Sequence, residues 1–279
     1  MGTLSSSGVT NCIIEYTGFD KAVTAAVGSE CATKIRMVND AYERMIGSKP
    51  EGKGWDTALE QFHCENDMWL EDFYYMIADS WSMVDQYSKK SDLCGALKDI
   101  TIESTDAEIT TTFSTFSNEY WGNDFCTGGF YNTNQMADPK RWDVNSRSWR
   151  WQTCYEVSYF NTAPGSGSLR NTIVDLDYHL KQCEAVFGIP MFPSSIEMNK
   201  RYGGAEPNAN HVFYSDFSDD PWLRASPNYS ISDTQPMFLS QCDDCGHCKD
   251  LHTPTEEDPE PVKQSRREFE GYMSKWLNE

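Results

Sequence analysis

Two short segments late in the chain set an acid and a base where a hydroxyl nucleophile could use them. The first runs Phe213-Tyr214-Ser215-Asp216-Phe217-Ser218-Asp219-Asp220-Pro221-Trp222, a β-prone stretch ending in a polar turn. The second, Pro236 to Leu239, leads into Cys242-Asp243-Asp244-Cys245-Gly246-His247-Cys248. An acid after one strand and a histidine after the next is the order in which the late members of a nucleophile–acid–base triad leave a mostly parallel sheet. The carboxylate orients the imidazole and stabilises its charged form, while the imidazole takes the proton of the attacking hydroxyl. Asp220 is the candidate acid and Asp219 the second choice; His247 is the candidate base and His252 the second choice. His63, His179 and His211 complete the five histidines and fall in helix or strand patterns that suit structural roles. The strand–G-x-S-x-G–helix elbow that should precede such a pair does not occur in the 279 residues.

Asp220-Pro221-Trp222, Gly246-His247-Cys248-Lys249-Asp250-Leu251 and the closing stretch from Asp258 to Leu277 together carry a resemblance. They are similar to the end of the serine exopeptidase family of lysosomal Pro-Xaa carboxypeptidase and dipeptidyl peptidase II. Upstream, Trp151-Gln152-Thr153-Cys154-Tyr155-Glu156 resembles that family's WQTCTE segment. Ala78-Asp79, Gln86-Tyr87, Gln182-Cys183, Phe187-Gly188 and Tyr202-Gly203-Gly204 fall in the family's order. Leu4 to Val9 resembles the strand just after its nucleophile helix. The likeness covers nearly the whole chain but only the later part of the family's length.

The resemblance implies an α/β fold: the C-terminal part of an α/β-hydrolase sheet with an inserted helical cap. Residues 1–11 would hold a strand, 12–135 the cap, and 136–279 the rest of the hydrolase domain. It implies a serine exopeptidase that cuts peptides after proline-like residues, with no cofactor. Trp222 would line the pocket for the residue before the scissile bond, its alternative being an ordinary core tryptophan. Glu156 would fix a substrate terminus or the pocket wall, or else be a buried structural carboxylate. The implied disulfides are Cys31 with Cys94, Cys64 with Cys126, and Cys154 with Cys183; Cys12 is left as an orphan or paired with a tail cysteine. The family usually has Asn-Gly and a leucine where this chain has Asp216-Phe217 and Asp219.

Composition narrows the classes. With 23 basic against 43 acidic residues the net charge is −20, so no basic stripe is available for nucleic acid or an anionic membrane surface. No apolar run approaches the length needed to span a bilayer. Ten cysteines suggest an oxidising compartment, lysosomal or secreted, and Asn228-Tyr229-Ser230 is an N-glycosylation sequon. Met1 to Asn11 lacks the basic and apolar regions of a signal peptide, so the true N-terminus is expected upstream. Cys242, Cys245, His247 and Cys248 crowd four potential ligands into seven residues, without the second ligand pair of zinc spacings, so no metal is assigned.

The elements that must position these residues follow from periodicity. Residues 1–11 read as a strand and exit turn. Cys31, Ile35, Val38, Tyr42 and Met45 mark one helical face, as do Leu70, Phe73, Ile77, Trp81 and Val84, and Ile109, Phe113, Phe116 and Tyr120. Cys126 to Arg150 reads as loop, Trp151 to Phe160 as a buried aromatic segment, and Asn161 to Ser168 as loop. Helices follow over Leu176–Phe187 and Ser194–Tyr202, then the two strands, then a closing helix through Phe269, Met273 and Trp276. The competing reading is a non-catalytic pseudo-peptidase that keeps the fold as a binding or decoy surface. Homodimeric assembly stays open.

Overall fold

The computed structural model describes residues 2–127, 130–140 and 144–279. Chain order is β1 (Thr3–Ser6), α1 (Thr17–Ile46), α2 (Lys53–Gln61), α3 (Leu70–Gln86), α4 (Lys90–Ala96), α5 (Asp106–Trp121), α6 (Thr133–Ala137) and α7 (Val144–Gln152). Then come α8 (Leu176–Phe187), α9 (Ser195–Tyr202), β2 (Val212–Phe217), β3 (Met237–Ser240) and α10 (Glu260–Leu277).

The apolar repeats form the expected helices because each can bury its stripe against another. Tyr42, Phe62, Phe73 and Phe113 meet through mostly edge-on ring contacts, in a core that also contains Trp81. α1 is broken at Gly28, whose φ of +75° takes the chain out of helix and lets the two halves wrap the core at different angles. α5 starts on a full capping box between Thr105 and Glu108. Disulfides Cys31–Cys94 and Cys64–Cys126 close loops across this helical core, and Cys154–Cys183 joins the segment after α7 to α8. These are the three pairs implied by the resemblance. The helical core also takes in Leu169, Val174 and Tyr178 from beyond residue 135.

The sheet is small and all parallel, in the order β1-β2-β3. Leu4 lies opposite Phe213, and Ser215 opposite Phe238, so β2 is central. α10 covers one face, with Phe269 and Tyr272 against Phe213, and Trp276 beyond them. Mostly helical with a short parallel sheet, the molecule is compatible with part of an α/β fold. Among the described residues no helix is long and apolar enough to cross a membrane.

Two expectations need correction. The stretch from Cys126 to Arg150 is not all loop: α6 forms behind an Asn132 side-chain cap, and α7 begins at Val144. Both were hidden by polar composition, and part of the stretch (128–129 and 141–143) lies outside the described residues, as does Met1. The segment Trp151 to Phe160 is only half buried. Cys154 and Phe160 are interior, whereas Trp151 and Tyr155 are exposed and stack on each other, with centroids 5.2 Å apart. A single π-turn over Thr153–Val157 sets that alternation.

Candidate active site

β2 leaves the sheet at Phe217, and a tight turn follows in which the Asp220 N–H donates to the Phe217 carbonyl at 3.1 Å. Asp220 is buried. One of its oxygens accepts the Trp222 N–H at 2.8 Å; the other lies 2.9 Å from His247 Nδ1. The two residues come together across a sequence gap that the parallel pairing of β2 and β3 helps to close.

The loop after β3 that carries His247 is held from three sides. Asp219 Oδ2 accepts the backbone N–H groups of Asp244, Cys245 and Gly246 at 2.7, 2.7 and 3.2 Å, so successive amides form an anion nest around it. Asp219 is therefore committed to the loop, and Asp220 is the carboxylate that meets the imidazole. Cys242 and Cys245 form a disulfide inside the loop, which removes two of the four conceivable zinc ligands. The His247 N–H donates to the Gln86 carbonyl at the end of α3, at 2.7 Å. Gly246 permits that approach: its φ is +64°, and a Cβ there would strike the same carbonyl oxygen.

Trp222 is anchored by its indole N–H to Gln86 Oε1 at 2.9 Å and stacks on Tyr16, centroids 5.2 Å apart. Tyr16 in turn donates its hydroxyl to the Pro221 carbonyl at 2.8 Å. Trp222 and His247 both line a cavity of about 550 Å³. Nine of its fifteen lining residues are aromatic, so its walls suit an apolar ring more than an extended polar chain. Asp79 is the one carboxylate among them.

Electrostatics divide the site's acids. Burial opposes charge on His247, but hydrogen bonds to Asp220 and Cys248 and their charges outweigh it and push the ring up to about 10. Burial pushes Asp79 up to about 6, with Arg170 opposing. Asp85 goes further, to about 8, because burial is reinforced by Asp219, Asp244 and Asp220 against the pull of Lys90. Asp216 is raised well above the usual range by burial and then by Asp220.

Other candidates lie apart. Glu156 sits half-buried on the π-turn, outside the cavity lining, where its charge adds to the burial that raises the Cys12 thiol. Cys12 is the orphan, its sulfur 3.8 Å from the Tyr159 hydroxyl; Cys248 is also free. His252 is exposed beyond the short 3-10 turn Lys249–Leu251, and Asn228 is exposed as a sequon requires. Asp79, Asp85 and Tyr159 had no assigned role in the sequence reading. The available signal was on α3, where Asp72, Asp79 and Asp85 recur within a helix buried on nearly every side.

The family profile described as serine carboxypeptidase S28 matches residues 1–269. A probable serine protease EDA2 of Arabidopsis thaliana is 28% identical over 295 aligned positions, covering 100% of this chain and 58% of its own length. The thymus-specific serine protease of Mus musculus is 26% identical over 51% of this chain and 28% of its own. A probable extracellular serine carboxypeptidase of Arthroderma benhamiae is 26% identical over 48% of this chain and 21% of its own. The chain thus spans little more than half the length of the Arabidopsis relative. With the match running from the first strand into α10, the chain belongs to the serine carboxypeptidase S28 family.

Proposed function

We propose that this chain supplies the acid, the base and the substrate cavity of a serine exopeptidase that cleaves peptides after proline-like residues. The observation that carries the reading is the Asp220–His247 pair opening onto an aromatic cavity, with Trp222 beside it. Asp220 orients His247, and His247 takes the proton of a serine that attacks the scissile carbonyl, giving an acyl-enzyme. Trp222 offers an indole face to a proline ring. Glu156 is not among the residues lining the cavity, so this reading gives it no part in the pocket. On this reading β1–β3 and α10 are the late part of a hydrolase sheet, with residues 12–135 a cap over it and 136–279 the rest of that domain. The nucleophile is a serine outside these residues, since no elbow motif occurs in them. Four disulfides and a relative named as extracellular support a lysosomal or secreted location.

The second reading, a binding module without catalysis, is favoured by one observation: nine of the fifteen residues lining the cavity are aromatic, which suits holding an apolar ring whether or not it is cut. A fluorophosphonate probe separates the two. Protein from its native source should be labelled on a serine and should hydrolyse a prolyl substrate, and a recombinant copy of it with His247→Ala should do neither. The 279-residue chain alone should stay unlabelled. Native protein that binds prolyl peptides but shows neither labelling nor turnover would make the binding module the right reading.

A further inference from the structure

The Asp220–His247 pair has a third member on β2 that the reading above does not use. Asp216 is 1% exposed, and its Oδ1 accepts the Phe217 N–H at 2.9 Å. Its Oδ2 is buried and meets no donor. Asp220 lies across the turn in which its own N–H bonds the Phe217 carbonyl, and its charge is the one that bears most on this carboxyl. Asp220 has its own oxygens turned to the Trp222 N–H and to His247, with lone pairs left to accept one more bond. Two ionised carboxyls cannot share so dry a site, whereas a carboxylic acid beside a carboxylate satisfies both.

The His247 ring is the group facing the pair that can carry a compensating positive charge, and it is bonded to Asp220 rather than to Asp216. Tyr16 approaches from the start of α1, where it feels both acids; Arg224, which also acts on Tyr16, is exposed. Asp85 on α3 adds a further acid near Asp220. His247, with Cys248 beside it, is already bonded to Asp220.

We propose that Asp216 is kept as a neutral acid that donates its proton to the Asp220 carboxylate, making it a positioning residue for the acid–base pair. The inference rests on the assignment of Asp220 and His247 as acid and base. The donated bond fixes the Asp220 carboxylate and moderates how tightly it holds the imidazolium. When Asp216 ionises in alkali, Asp220 loses a donor and gains a negative neighbour, and the proton on His247 becomes harder to remove. An amide at this place would donate permanently, so the alkaline response belongs to the acid alone.

Carboxyl-carbon and imidazole NMR titrations of the 279-residue chain test this without reference to turnover. In the wild type, the carboxyl signal that Asp216→Asn removes should stay in the protonated position well above the ordinary aspartate range. The His247 ring should show, besides its own titration, a second inflection at the pH where that carboxyl ionises. Asp216→Asn should abolish the second inflection and leave the first within roughly 0.3 pH unit, because the donor is retained. Asp216→Ala should raise the His247 titration by about one unit, the effect of removing one charge-assisted hydrogen bond. Asp220→Asn should let the Asp216 carboxyl titrate lower, since its negative neighbour is gone. An Asp216 carboxyl that ionises within the ordinary aspartate range overturns the proposal, as does a second inflection that survives in Asp216→Asn. If Asp216→Ala does not fold, the carboxyl signal and the amide variant decide alone. A chain that never acts as a peptidase leaves these titrations unchanged, so failure of the functional reading and failure of this inference are distinguishable.

Discussion

The helical region and the sheet region are held together by different physics. In the first, buried rings and two disulfides that span 63 and 62 residues of sequence lock α1 to α5 around a dry centre. In the second, strands of four, six and four residues are too short to close a core of their own. Buried carboxylates take up the task instead. Asp250 accepts from Ser215 and Ser265, each at 2.7 Å, and from Ser6, tying β1, β2 and α10 to one point. Asp219 does the same for the base-carrying loop. Packing gives the helical region bulk stability, while acceptor carboxylates give the sheet region directional control over a few side chains. The site lies where the two meet.

That contrast can be broken from either side. The largest effect is expected at Trp81, fully buried in the helical core. Trp81→Ala should cost about 3–5 kcal/mol in urea unfolding, yet leave the His247 ring signal of the remaining folded protein in place. Asp219→Ala should show the reverse pattern. It strands three backbone donors, should cost about 2–3 kcal/mol, and should release the amides of Asp244 to Gly246 to fast hydrogen exchange while the helical amides stay protected. A loop that remains protected after that substitution would show that the disulfide and Gln86 hold it without Asp219.

The third test concerns pH. Asp85 is raised from an ordinary unfolded value near 4 to about 8, so the protonated form is the one that folding favours. Its contribution is full below about pH 4 and fades as the pH climbs through 8. Asp85→Asn should therefore raise stability at about pH 8 and change little at about pH 4. Equal effects at both pH values would refute the assigned cause. The smallest effect belongs to the exposed Arg44–Asp106 pair, 2.6 Å apart: Arg44→Ala should change unfolding free energy by about 0.5 kcal/mol or less.

How much of this could be read in the chain depended on periodicity. α1, α3, α5, α8 and α10 announce themselves because their apolar residues step by three and four. The order strand–acid–strand–base is equally plain. α7 is not, because the run from Asn145 to Gln152 mixes polar and aromatic residues without an apolar stripe, and its buried Arg150 lies over the Tyr75 and Phe130 rings. Aromatic content misled the reading of Trp151 and Tyr155, which cover each other at the surface. The resemblance favours Asp220 over Asp219, and the structure adds what adjacent turn residues differ in, the direction their side chains leave the backbone: Asp220 to the imidazole and Asp219 to the loop amides. The role of Asp216 was hidden for a related reason: its environment is built from residues before and after it that only the fold assembles.

The bond from the His247 amide to the Gln86 carbonyl has a mechanical consequence. It couples the loop of the sheet to the last turn of α3, and the Trp222 indole grips the same glutamine. A hinge that swung the helices away from the sheet would have to break both bonds to Gln86, so one residue ties the turn after β2 and the loop after β3 to the end of α3.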